Sequence, residues 1–209
     1  MNTINKKHKL RGNMRKKWIL GVVAFGITLV YFLASIVISL VNYKKNTEVW
    51  EALGYTGLIY NQHAYEDISF GAGTMAKNGC AASCVYNILR LDGKYVPLPD
   101  IIKKFDVGGE NLMGILGTHP YAIKSILSQY GYKAKFHLKS EKFEDLAKQS
   151  RYAILLYIRK TGGHFQLMTD YNKFTNEFQL YNMTRRCSMQ QLLDEKGDGF
   201  KMLITVNLK

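Results

Sequence analysis

The chain has 209 residues, 47% of them hydrophobic, and a formal charge of +13 from 29 Lys and Arg against 16 Asp and Glu. Its length leaves room for about one domain of ordinary size beside a membrane segment. The first seventeen residues carry seven basic side chains and no acid, which leaves +6 for everything after them. That remainder has no nucleic-acid motif, so the charge is better explained by membrane topology and anionic lipid than by nucleic acid, and no nucleic-acid partner is expected.

In chain order, residues 1–17 are a basic tail holding Lys6, Lys7, Lys9, Arg11, Arg15, Lys16 and Lys17. Residues 18–41 contain no charged residue, more than the ~20 residues that cross ~30 Å of hydrocarbon. The run is too long for the apolar core of a cleaved signal peptide and ends in no Ala-x-Ala site. It is predicted to be a transmembrane helix in contact with membrane lipid, with Trp18 and Tyr43 at its two interfaces. Only Lys44 and Lys45 follow closely, so the positive-inside rule places the N-terminus in the cytoplasm and the rest outside, on a single-pass protein of the cell membrane. Residues 42–60 form a juxtamembrane stalk, helical over 48–53.

Residues 61–209 read as one α+β domain. The segment 61–78 is irregular; its Gly71-Ala72-Gly73-Thr74 lacks the Gly-Lys-Ser/Thr that would complete a phosphate loop. After Cys80, the residues Ala81, Cys84, Val85, Ile88 and Leu89 recur at the spacing of an amphipathic helix. Asn78 or Gly79 caps it and Gly93 ends it. Pro97 and Pro99 bracket a loop, and Asp100 caps a short helix to Phe105. Glycines at 108, 109, 114 and 117 mark a flexible stretch suited to the border of a cleft. Pro120 opens a helix with Ile123, Ile126, Leu127 and Tyr130 on one stripe. Strands are predicted over 133–138, 152–158, 164–171, 177–182 and 201–208, and helices over 143–148 and 188–193. The result is a helical first half and an antiparallel sheet in the second.

Cys80 stands in the first turn of its helix, where unpaired N–H groups and the positive end of the dipole favour a thiolate and an oxyanion. His164 follows Thr161-Gly162-Gly163 and starts a strand at a tight turn. In the hairpin of 164–171 and 177–182, residues whose numbers sum to about 346–348 lie opposite one another, which brings Asn182 to within two positions of His164. Side chains on neighbouring strands lie ~4.5–5.5 Å apart, so an Asn amide can hold an imidazole in one tautomer. A thiol, an imidazole and an amide in this relation constitute a Cys-His-Asn hydrolase.

Tyr60-Asn61-Gln62, the run from Tyr65 through Phe70 to Gly79-Cys80, Gly162-Gly163-His164-Phe165-Gln166-Leu167-Met168-Thr169-Asp170-Tyr171 and Leu180-Tyr181-Asn182 resemble the papain-like cysteine peptidases related to bacteriocin leader-processing (double-glycine) peptidases. The resemblance covers roughly 60–208. It implies a papain-like fold preceded by the transmembrane helix, peptide or protein substrates, Cys80 as nucleophile, His164 as base, and Asn182 where the family carries Asp or Asn. Two positions depart from the family. Ala81-Ala82 stands where Gly-Pro usually follows the Gly-Cys pair, and Thr74 occupies the place of the oxyanion-hole Gln, for which Gln62 and Asn78 are the candidate substitutes.

Three alternatives remain at this point. Cys84 and Cys187 pair in a disulfide, or all three thiols, Cys80 included, are free. Cys80 and Cys84 have a spacing zinc tolerates, but no second close pair accompanies His164 and Cys187, so neither metal nor cofactor is expected. The departures also suit a membrane-anchored peptide-binding or immunity-type protein that has lost turnover.

Overall fold

The computed structural model describes residues 2–55, 57–107, 117–159, 162–182 and 185–209. The glycine-rich stretch over 108–116 lies outside them. The chain divides into two compact units, Met1–Val37 and Ile38–Lys209. Helix α1 runs over Asn2–Leu53, and its Lys16–Leu53 part is long and apolar enough to cross a membrane.

The expected stalk is therefore largely helical, and the end of α1 belongs to the larger unit. Asn42 Nδ2 donates to the Gly71 carbonyl at 2.8 Å. Asn46 grips the Ser69 backbone with both arms, its Nδ2 donating to the carbonyl and its Oδ1 accepting from the N–H, each at 2.8 Å. Trp50 packs its ring against Tyr55, Tyr65 and Tyr86.

A two-strand ribbon, β1 (Ser69–Phe70) and β2 (Gly73–Thr74), leads into α2 (Met75–Asn78) and α3 (Cys80–Leu91). α3, whose apolar spacing is amphipathic, is buried on every side from Cys80 to Leu89. Asn87 is fully buried because it exchanges two hydrogen bonds, each 2.8 Å, with the backbone of Ile59. Gly93 (φ +71) follows the helix in the left-handed conformation expected of a C-terminal glycine.

α4 (Leu98–Asp106) starts after Pro97. Asp100 lies inside it and does not cap it; its carboxylate accepts from the Tyr43 hydroxyl at 2.9 Å. α5 (Pro120–Gln129) follows, capped by His119. The second half supplies β3 (Tyr132–His137), α6 (Phe143–Lys148), β4 (Tyr152–Arg159), β5 (Gly162–Asn172) and β6 (Glu177–Tyr181). It ends with β7 (Arg185–Cys187), α7 (Met189–Glu195) and β8 (Lys201–Leu208). Ser188 and Gln191 cap α7 reciprocally. β7 was not anticipated, being three residues long and without alternation.

The six longer strands form one sheet in the order β3-β8-β4-β5-β6-β7, each recorded pair antiparallel. Both faces are covered. Ile154, Leu156, Phe165, Leu167 and Ile204 meet α3, α4 and α5 in one core, and Leu155, Met168, Leu180 and Leu203 meet α6 and α7 in another. All three cysteines are free thiols. Cys84 belongs to the first core and Cys187 to the second, so the sheet separates the two sulfurs that the disulfide alternative would have joined.

Candidate active site

Gly79 separates α2 from α3 with backbone angles (φ −82, ψ 8) open to any residue. What it needs is space: a Cβ there would lie 2.1 Å from Met75 Sδ and 2.5 Å from the Met75 carbonyl oxygen. Its N–H donates to that same oxygen at 2.9 Å. This close approach sets where α3, and with it Cys80, begins.

The Cys80 side chain is held in the first core, with the residue 9% exposed. Burial pushes its pKa up, against the lowering effect of the backbone N–H groups of Phe165, Ala81 and Cys80 itself. The helix terminus thus acts in the expected direction but is outweighed by burial. One turn on, Cys84 donates to the Phe165 carbonyl at 3.7 Å. Burial raises its pKa well above normal, and the neighbouring Cys80 adds to the rise. Both sulfurs therefore lie along the backbone of β5 at Phe165.

His164 is the residue before Phe165, so its backbone reaches the Cys80 helix. Its ring does not follow. Tyr157 of β4 is its cross-strand partner, and the two ring centroids are 5.4 Å apart. The Tyr157 side chain belongs to the second core, whereas that of Phe165 belongs to the core of Cys80. Strand alternation thus sends the imidazole to the face opposite the thiol. Lys196 completes this second-face cluster, its ammonium 4.8 Å from the Tyr157 ring centroid.

Asn182 follows β6 in a left-handed conformation (φ +69). The β5–β6 pairs Leu167–Tyr181, Met168–Leu180 and Thr169–Gln179 have the register expected of the hairpin, with a bulge toward Asn172. Continued by one step, that register sets Asn182 opposite Gln166, two positions from His164. Its amide engages Gln62. Gln62 N–H donates to Asn182 Oδ1 at 2.8 Å, and Asn182 Nδ2 donates to Gln62 Oε1 at 2.6 Å. Gln62, 4% exposed, in turn donates Nε2 to the carbonyl of Ala76 at 2.9 Å. Ala76 stands four residues before Cys80. The Asn78 amide turns back toward Gly73, whose Cβ would lie 2.5 Å from Nδ2.

Cys80, Gln62 and Asn182 are thereby gathered around α2 and α3, with the His164 backbone beside them and its ring across the sheet. Two participants escaped the sequence reading. The Phe165 N–H is invisible because any residue supplies it. Tyr157 was within reach, since a tight turn at Gly162-Gly163 places positions near 157 opposite 164. Among the described residues, no group of three His, Cys, Asp or Glu side chains is arranged to hold a metal ion.

Neither a protein-family model nor a curated protein matches the chain. Solved structures do. The peptidase domain of Streptococcus ComA, a bifunctional ABC transporter of a quorum-sensing pathway, is similar over 62% of this chain and 91% of its own, with 12% identity and a TM-score of 0.46. A double-glycine-motif protease from an AMS/PCAT transporter, solved in complex with the leader peptide, is similar over 62% and 84%, with 17% identity and a TM-score of 0.46. The N-terminal peptidase C39-like domain of the toxin secretion ATP-binding protein from Vibrio parahaemolyticus is similar over 64% and 98%, with 16% identity and a TM-score of 0.44. These three structures are what the helices and antiparallel sheet of this chain are similar to.

Proposed function

We propose that the chain is a membrane-anchored cysteine peptidase, with residues 18–41 in the bilayer, the N-terminus in the cytoplasm and the α+β domain outside. The observation that carries this reading is the Cys80 thiol at the start of α3, seated against the backbone of Phe165, the residue that follows His164 in β5. In the reaction, the imidazole of His164 takes the Cys80 proton and the thiolate attacks the peptide carbonyl. The imidazolium then protonates the departing amine, and water cleaves the thioester. N–H groups at the start of α3 receive the oxyanion. For this chemistry the His164 ring leaves Tyr157 and turns to the thiol's side. Gly162 (φ +128) and Gly163 immediately before it are the hinge.

A second reading, a peptide-binding protein without turnover, is favoured by the burial of Cys80, which pushes its pKa up, and by the docking of His164 on Tyr157. One experiment separates the two: incubation of a peptide library with the full chain in detergent, wild type beside Cys80→Ala and His164→Ala. Cleavage by wild type alone is expected. Cleavage that survives Cys80→Ala refutes the mechanism, and binding without cleavage establishes the second reading.

A further inference from the structure

Gln62, a candidate oxyanion donor, gives one of its two amide N–H bonds to a backbone carbonyl. The Ala76 carbonyl can only accept, so the Gln62 atom 2.9 Å away is Nε2. Oε1 must then face Asn182, and the Asn182 atom 2.6 Å from it must be Nδ2. Independently, the Gln62 backbone N–H can only donate, so the Asn182 atom 2.8 Å from it is Oδ1. The two ends of the chain of bonds agree, and neither amide can flip without opposing two acceptors or two donors. Gln62 is almost fully buried, where such an opposition is costly.

From this network we infer that Gln62 is a positioning residue. It holds the Asn182 amide with Oδ1 as an acceptor on the Cys80 side of the sheet, where a ring N–H of His164 is received once the ring turns there. The inference rests on the reading of Cys80 and His164 as a reacting pair. It accounts for the left-handed backbone at Asn182, which leaves the strand path to reach Gln62. It also ties the amide to α2, the turn that sets the start of the Cys80 helix.

The network has a polarity, and that polarity can be tested. A carboxylate orients an imidazolium as well as an amide does. Here, however, Asn182→Asp sets an acceptor against Gln62 Oε1, and turning the Gln62 amide around only moves the opposition to Ala76. The readout is iodoacetamide alkylation of Cys80 in the full chain in detergent, followed by peptide mapping from about pH 4 to 9, which spans the ordinary His and Cys ranges. The part of the rate at low pH that His164→Ala abolishes reports the thiolate–imidazolium pair.

Asn182→Asp should lower that part about tenfold, the size of one lost hydrogen bond. Gln62→Met should lower it by a similar factor, and needs no acid at 182 to fold. The double variant should match Gln62→Met within about twofold, because residues acting through one network are not additive. Additive losses, or an Asn182→Asp or Gln62→Met variant that behaves as wild type, overturn the assignment while leaving the peptidase reading intact. A wild-type chain with no His164-dependent part removes both readings. One that shows this part but cleaves no peptide retains the positioning role and loses only the peptidase.

Discussion

Replacing Gly79 by alanine adds one methyl at the point where α2 meets α3. The new Cβ would stand 2.5 Å from a backbone oxygen of Met75 and 2.1 Å from its sulfur. The thioether can swing away, but the carbonyl cannot move without taking the α2 turn with it. That same oxygen accepts the Gly79 N–H at 2.9 Å, so relief of the clash stretches the bond that joins the two helices. Overpacking of this kind costs ~1–3 kcal/mol, and the weakened hydrogen bond adds up to ~1 kcal/mol. Alanine's advantage over glycine in helices, at most ~1 kcal/mol, acts in the opposite direction. The net loss is about 2 kcal/mol. For a unit of this size it lowers Tm by ~4–8 °C, read by circular dichroism on the full chain in detergent. A second readout locates the effect: Cys80 should alkylate faster as the start of α3 loosens. Gly93→Ala is the control, since φ +71 in open space penalises it through the backbone alone, by ~1–2 kcal/mol. A Gly79→Ala variant within about 0.5 kcal/mol of wild type, smaller than the overpacking range, would refute the view that this glycine exists for close approach.

Two further outcomes follow from buried polar pairs. Asn87→Ala leaves the N–H and C=O of Ile59 without their 2.8 Å partners. It should cost ~2–5 kcal/mol, as two buried unsatisfied groups do, measured by denaturant unfolding. Asp92 receives hydrogen bonds from Tyr132 at 2.6 Å, from Arg151 Nε at 2.9 Å and from the Tyr152 hydroxyl, so it joins the end of α3 to β3 and β4. Burial pushes its pKa up, but these donors, with the Arg151 charge, outweigh that and hold it below the usual carboxylate range. Its contribution to stability is then full above about pH 4, the ordinary carboxylate value, and falls away as pH drops through the depressed folded pKa. Asp92→Asn should lower stability at neutral pH and remove that slope, and a wild-type slope that persists in the variant would contradict the assignment.

The strands were legible because alternation is local. Residues 152–158 and 201–208 read as strands, and Tyr152–Arg159 and Lys201–Leu208 are strands, since one face of each meets α3 to α5 and the other α6 and α7. The hairpin register was legible for the same reason, and it placed Asn182 near His164. Burial of polar residues by distant segments was not legible. Asn42, Asn46 and Asn87 look like solvated positions in sequence, and each is satisfied by a backbone 23 to 29 residues away. Cys80 illustrates the limit set by magnitude: a helix N-terminus stabilises a thiolate by a kcal/mol or so. Whether that wins depends on how completely the sulfur is removed from water, which is a property of the assembled core.

The position of His164 illustrates a limit of another kind. A single step along a strand exchanges one face of a sheet for the other. The proximity of residue 164 to Asn182 could be read from the hairpin, while the side on which its ring stands depended on how β4 pairs with β5. That pairing sets His164 against Tyr157 and Phe165 against Leu156, so the residue that reaches the thiol's core is Phe165 and the one that bears the base is its neighbour. On the reading proposed above, ordinary strand geometry keeps the resting chain off: the thiol is buried, the Asn182 amide is held by Gln62, and the imidazole stands on the other face of the sheet. A turn of the ring at Gly162-Gly163 supplies the base, in the fraction of molecules that His164-dependent alkylation of Cys80 counts.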